Sequence, residues 1–397
     1  MSDVEIDTDT DISVQVADAV DDYLRRTYDD ERRRRILESG GWDATFSAEL
    51  AGLEWYSLAV PESHGGLGAP LSALGPVFMH FGRYLVAGPS LENALLPALL
   101  QRPDDWTSTP AIAAAVQTGI PLALVDPGIT DDWADDVGTV VLSPNGLRGS
   151  VNAVRFARQA RLLVVIADSE TGPAICLVDS TEPGVTIDDV DSADPTATLG
   201  RVTFADVRPT GAHRTGHAGD DRLIHRIRSW TRILIACELS GIAQRCLDRT
   251  IDYIRQREQF GRPIGSFQAI KHIAADMYTR STALHNLCIA TLDDTAHADE
   301  RQLHLLGATA KAYASSVAVR ICEDAIQLHG GIGFTTENEL NWYYKRTLAL
   351  RGWYGDPTEL ERRIGAALLE RSSGNDGQLT TPDTTLDTNS VPTTRQR

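Results

Sequence analysis

Three short stretches hold residues of the types that chemistry uses. Residues 350–363 read LRGWYGDPTELERR, and within them Tyr354-Gly355-Asp356-Pro357 fits either a turn between two helices or the altered remains of an active site. Residues 255–268, RQREQFGRPIGSFQ, set a cation, Arg257, and an aromatic, Phe260, beside Gly261 and Pro263. Glycine and proline there stop one helix, Ser266 is placed to cap the next, and Arg257 sits where a cation suits the end of a helix dipole. Residues 327–337, QLHGGIGFTTE, end a helical run at Gly330-Gly331. Paired glycines permit positive φ and close backbone approach, which suits either a helix cap or a surface on which a nucleotide lies. G-G-x-G alone is a weak signal.

The elements around these stretches fall into three textures. From 11 to 118 apolar residues recur at helical spacing, as in residues 71–86 and 91–100, with VPESHGGLGAP interrupting them. From 119 to 212 short β-branched runs appear, among them GTVVL, RLLVVIA and RVTFADV, separated by Asp, Gly, Pro and Ser. Such runs predict a compact antiparallel β domain, a sandwich or barrel. From 220 to 371 long stripes return, for example Leu303, Leu306, Ala310, Tyr313, Val317 and Ile321, and these predict a four-helix bundle. The fold class is therefore α+β. Residues 1 to about 10 and 372–397 are too polar to offset ordering entropy and read as disordered.

The formal charge of −18 argues against nucleic acid or an anionic membrane surface as partner. The run Glu31-Arg32-Arg33-Arg34-Arg35 is a local exception and reads as a solvated helix face. Five scattered cysteines form no ligand spacing, so no metal site is expected and buried, reduced thiols in a cytoplasmic protein are. The acidic N-terminus lacks the pattern of a signal peptide, and no apolar run reaches the length that spans a bilayer.

In combination, VPESHGGLG, REQFGRPIGSFQAIKHIAADM and QLHGGIGFTTENELNWYYKR, in that order around a β domain, resemble the acyl-CoA dehydrogenase family over roughly residues 12–371. The resemblance implies an N-terminal helical domain, a central β domain and a C-terminal four-helix bundle. It implies FAD at a subunit interface and desaturation of an acyl-CoA thioester, with electrons leaving to an electron-transfer flavoprotein or a similar acceptor. A carboxylate takes the α-proton in that chemistry, and the β-hydrogen leaves as hydride to the flavin. Carried over by motif, Arg257 matches an arginine that pairs with the FAD pyrophosphate of the neighbouring subunit, and Phe260 an aromatic beside its adenine. Gln327, Gly330 and Gly331 match the segment that meets the same cofactor, and Arg232 an arginine near the acyl-CoA pocket or else a structural ion-pairing residue.

Departures from the family pattern are as informative. Where relatives carry Tyr-Glu-Gly-Thr, with the Glu as catalytic base, this chain has Gly355 at the base position and Pro357 at a flavin-contacting threonine. The alternative base position of some relatives holds Thr231. Asp356, Glu359 and Glu238 are the nearby carboxylates. The flavin loop reads Val125-Asp126-Pro127-Gly128-Ile129-Thr130-Asp131, and the usual Trp-Ile-Thr strand has become Ala153-Val154-Arg155 or close to it. Residues serving the chain's own chemistry are thus altered, whereas those reaching a neighbour's cofactor survive. This resembles the base-less subunit of actinobacterial two-subunit acyl-CoA dehydrogenases, which act on bulky esters such as sterol side chains. The expectation is a non-catalytic partner in an α2β2 complex with a second acyl-CoA dehydrogenase-like chain. The alternatives are a homomeric enzyme with a displaced base, Asp356 or Glu238, and a scaffold without dehydrogenation.

Overall fold

A computed structural model describes residues 8–100, 110–129, 138–209, 211–214, 221–335 and 338–374. Six helices lead: α1 (Thr8–Thr27), α2 (Asp30–Glu38), α3 (Ala44–Gly52), α4 (Leu74–Tyr84), α5 (Ser90–Leu100) and α6 (Pro110–Thr118). Asp29 and Asp43 cap α2 and α3 by accepting from backbone N–H groups three residues on. The arginine run lies on α2, and Arg33 departs from the expected solvated face. It is buried, and its guanidinium bonds Asp30 at 2.5 Å and Glu339 at 2.7 Å. Arg32 binds Glu49 through both carboxylate oxygens, and Arg34 lies over the Trp342 ring.

Eight strands follow: β1 (Leu122–Val125), β2 (Val140–Ser143), β3 (Gly146–Arg155), β4 (Leu162–Ser169), β5 (Ala174–Asp179), β6 (Val185–Val190), β7 (Leu199–Val207) and β8 (Gly211–Arg214). Their order is β6–β7–β3–β2–β4–β5–β8, with β1 beside the first half of β4. The antiparallel expectation holds for most ladders but not for β1–β4 and β2–β4, which are parallel. The reason is topological: β1 and β2 both reach β4 across intervening chain rather than through a tight hairpin. β3 carries one extra residue against β7 between Val151 and Val154, where Ala153 takes φ 57°. A bulge of this kind re-aims the residues that follow it, here Val154 and Arg155.

The remaining helices are α7 (Asp221–Gln256), α8 (Gln268–Asp294), α9 (Glu300–His329), α10 (Leu340–Gly352) and α11 (Pro357–Gly374), with a hairpin, β9 (Glu258–Gln259) and β10 (Arg262–Pro263), between α7 and α8. The middle of α7, residues 229–243, is buried on every face, while its ends keep exposed polar residues, and the helix packs on α4, α8 and α9. Gly82 of α4 and Gly241 of α7 meet reciprocally. A Cβ on the first would collide with the Glu238 carbonyl and on the second with that of Met79. α10 packs on α9 and α7 and α11 packs on α9, with the chain breaking between them at Trp353–Asp356. Against the expected disorder, residues 8–10 belong to α1 and 372–374 to α11, whereas 1–7, Thr130, Asp131 and 375–397 lie outside the described residues. All five cysteines are buried and unbridged. Among the described residues no helix is long and apolar enough to cross a membrane.

Candidate functional site

The break between α10 and α11 is held by cations from two helices. α10 ends at Gly352 with Trp353 extended behind it, Tyr354 and Gly355 then take positive φ, 56° and 112°, and Pro357 starts α11 at the position where a missing N–H costs nothing. The Tyr354 N–H donates to the Ile129 carbonyl at 2.6 Å, and Arg232 Nε, from α7, donates to the Tyr354 carbonyl at 2.7 Å. Lys311 Nζ, from α9, donates to the carbonyls of Arg351 and Gly355, each at 2.9 Å. Buried ammonium and guanidinium groups thus satisfy the carbonyls left open where a helix ends. Asp356 caps α11: its Oδ1 accepts from the Thr358 N–H at 2.9 Å, and its Oδ2 lies 3.4 Å from Arg351 Nε.

Around this loop sits a buried charge cluster. Arg346 of α10 binds Glu238 of α7 through Nε at 2.7 Å and Nη2 at 3.1 Å, and Asp194 through Nη1 at 3.0 Å. Burial alone would lower the Arg346 pKa, but these carboxylates hold it above the ordinary value. Arg155, sent inward beyond the β3 bulge, stacks over the Trp353 ring at 4.3 Å and lies 3.4 Å from Glu92. Arg346 flanks Trp353 as well, at 5.5 Å. Burial pushes the Glu92 pKa up, against the pull of Arg155, and pushes the Arg155 pKa down. This pair is therefore the costliest part of the cluster. Asp126 is fully buried and bound by Arg228 at 3.0 and 2.6 Å.

The sequence-derived candidates therefore have definite places. Gly355 and Thr231 are buried. Glu238 has both oxygens engaged by Arg346, and Asp356 is a helix cap. Glu359 is held by Arg362 and Arg363, whose hydrogen bonds bring its pKa down to about 2. Arg232 is buried against the loop.

The other two stretches form an exposed clasp. The Arg257 N–H donates to the Tyr253 carbonyl at 2.8 Å as α7 ends, and its own carbonyl accepts from Ile264 N–H at 2.8 Å. Phe260 and Gly261, with φ 55° and 77°, make the two-residue turn of the hairpin, whose twist requires positive φ at both positions. Phe260 is 92 % exposed, edge-on to Phe267 at 6.1 Å, and the Arg262 guanidinium covers Phe267 at 4.1 Å. Ser266 does not cap α8. Its hydroxyl is buried without a hydrogen-bond partner, because a short 3-10 turn over Ile264–Ser266 intervenes and Phe267 holds the cap position. At the end of α9, Gly330 takes φ 63° and ψ −143°, a conformation open essentially to glycine alone and not that of a Schellman cap. Gln327, Gly330 and Gly331 are exposed, and a Cβ at either glycine would meet nothing within 4 Å. Tyr253 joins the two stretches. Its ring stacks on His329 at 4.2 Å and 20°, and its hydroxyl donates to the His329 carbonyl at 3.3 Å. The sequence signal for this contact is an aromatic one turn before Arg257 and another ring just before the glycines.

Residues 222–369 match the acyl-CoA dehydrogenase C-terminal domain family. Acyl-CoA dehydrogenase IpdE2 of Mycolicibacterium smegmatis is 31 % identical over 322 residues, covering 79 % of this chain and 84 % of that protein. This chain belongs to the acyl-CoA dehydrogenase family. The acyl-CoA dehydrogenase fold extends over nearly its whole length. A variant of the Tcur3481–Tcur3483 steroid ACAD superposes with a TM-score of 0.81 at 22 % identity, over 92 % of this chain and 99 % of that one. The ChsE4–ChsE5 complex from Mycobacterium tuberculosis superposes with a TM-score of 0.78 at 23 % identity, over 93 % and 99 %.

Proposed function

We propose that this chain is the non-catalytic subunit of a heteromeric, FAD-dependent acyl-CoA dehydrogenase. A second chain of the same family supplies the proton acceptor and the flavin-ring site, and this chain completes dinucleotide binding across the interface of an α2β2 assembly. One observation carries the reading: the two halves of the family's site have opposite states here. The loop at the base position is filled by Arg155, Trp353, Tyr354 and Arg232, and its carboxylates are committed to arginines or to a helix end. The residues whose family counterparts face a neighbour's cofactor, Arg257, Phe260, Gln327, Gly330 and Gly331, are exposed.

These surfaces also bear on whether FAD fits. An exposed arginine, an exposed aromatic and an open glycine backbone suit a dinucleotide, whereas beside Gly355 a buried guanidinium is stacked on Trp353, where a flavin ring would need a neutral, open face. FAD, when bound, supplies the hydride acceptor. Arg257 would hold a pyrophosphate by charge-assisted hydrogen bonds, Phe260 would lie against the adenine, and Gln327, Gly330 and Gly331 would meet the adenosine and pyrophosphate. A general base contributes about 10²–10⁴-fold in rate, so the thioester is desaturated in the companion's site. The substrate class is a bulky acyl-CoA ester of steroid type, supported by the steroid ACAD among the structural relatives, and an electron-transfer flavoprotein or similar acceptor takes the electrons.

Neither displaced-base candidate is favoured, because proton uptake by Glu238 would break the Arg346 pair and Asp356 would have to abandon α11. Co-expression with a neighbouring dehydrogenase-like gene tests the proposal. The expected result is a colourless single chain and a yellow, active complex. Stoichiometric FAD and acyl-CoA desaturation by the single chain would overturn it.

A further inference from the structure

The clasp consists of two segments far apart in sequence, the hairpin after α7 and the glycine turn after α9, and the ring pair Tyr253–His329 binds one to the other. Each partner is fixed on its own helix. The Tyr253 carbonyl accepts the Arg257 N–H at 2.8 Å, so the ring sits one turn from the cation. His329 Nδ1 lies 2.8 Å from the Ala325 carbonyl, which only accepts, so Nδ1 carries the proton. His329 is buried and directly precedes Gly330, whose φ/ψ fixes the direction of the following backbone. The stack at 4.2 Å and the hydroxyl bond at 3.3 Å therefore set the spacing between Arg257 and the 330–331 backbone.

We infer that Tyr253 and His329 are positioning residues for a dinucleotide pyrophosphate held across the subunit interface, an inference that rests on the shared-cofactor reading above. Neither ring touches the cofactor. The pair keeps a cation and an open backbone at the separation one ligand needs, so the ordering cost is met before binding rather than during it. A loosened pair leaves assembly and chemistry intact and weakens cofactor affinity.

The test uses the co-expressed two-chain complex and measures FAD affinity by flavin fluorescence after stripping and titration, with turnover at saturating FAD. Tyr253→Phe keeps the stack and loses one long hydrogen bond, and it is expected to bind FAD within about threefold of wild type. Tyr253→Leu removes the stack and is expected to bind about tenfold more weakly, with turnover at saturating FAD unchanged and the melting temperature of the stripped complex lowered by only a few degrees. Should Tyr253→Leu fail to assemble, His329→Asn carries the same expectation, since it keeps a donor for Ala325 and removes the ring. Wild-type affinity in both variants overturns the inference and leaves the shared site standing. A fall in turnover that saturating FAD does not restore also overturns it. A wild-type complex without flavin removes the shared site and this inference together.

Discussion

If Gly355 marks a lost base, restoring the carboxylate is the obvious perturbation, and the structure says why it fails. Gly355 has φ 112°, outside the region side-chain-bearing residues adopt readily. Strain of this kind costs of order 1–3 kcal/mol. The site is also buried, and the cation at its carbonyl, Lys311, already serves two carbonyls at 2.9 Å. A glutamate there either stays unpaired, adding about 1–3 kcal/mol or more, or draws Lys311 away and uncaps α10. Gly355→Glu is thus expected to lose about 2–6 kcal/mol in all. At about 2 °C per kcal/mol, the melting temperature falls by roughly 4–12 °C. Gly355→Ala carries the strain alone and loses about 1–3 kcal/mol. Differential scanning fluorimetry reads both, and a dye-linked assay with a steroid acyl-CoA reads activity, which neither variant gains. A Gly355→Glu chain that melts with the wild type and desaturates a thioester by itself would refute the account of the loop as a filled, glycine-dependent turn.

Removing the guanidinium in Arg257→Ala should weaken FAD binding to the two-chain complex about 10–100-fold, in line with a hydrogen bond to a charged group, as flavin titration would measure. Glu238→Gln should cost about 3–5 kcal/mol in chemical denaturation, because Arg346 loses a buried partner, while specific activity of the assembled complex stays unchanged; lost turnover in a folded complex would instead make Glu238 the base. Arg155→Met leaves Glu92 buried without its cation, so its folded pKa, already raised, rises further. A raised folded pKa gives stability that is present below the unfolded value of about 4.3 and is lost as pH rises through the folded value, at up to about 1.4 kcal/mol per pH unit. The variant should therefore trail the wild type by less at pH 5 than at pH 8 in urea unfolding.

The helical stretches and most strands were legible because 3.6- and 2-residue periodicities record which face is buried, and the two long C-terminal motifs carried the family. Pair partners were not legible. Nothing in Glu31–Arg35 reveals that Arg33 alone turns inward, since its partner Glu339 lies 306 residues away. Arg155 reads in the sequence as a departure in the strand that flanks the flavin in relatives, and only the bulge at Ala153 and the stack at 4.3 Å show that it turns in onto Trp353. Ser266 has the right residue type for a cap, yet the 3-10 turn shifts the helix start past it. Asp356 and Glu238 were visible as carboxylates, but the cap at Thr358 and the bidentate arginine that occupy them come from geometry. The parallel β1–β4 and β2–β4 ladders were likewise invisible, because period-2 alternation is silent about direction.

The Arg33–Glu339 pair also bears on how the chain is made. With translation at about 5–20 residues per second, Arg33 leaves the ribosome roughly 15–60 s before its carboxylate is synthesised. The N-terminal helices have to wait, and α4 likewise waits for α7, on which it rests. Early release or truncation ahead of α10 would leave the Arg33 guanidinium with the exposed Asp30 as its carboxylate partner and the Tyr84 carbonyl at 3.5 Å, and would deliver N-terminal helices without α7 to settle on, a natural substrate for chaperones.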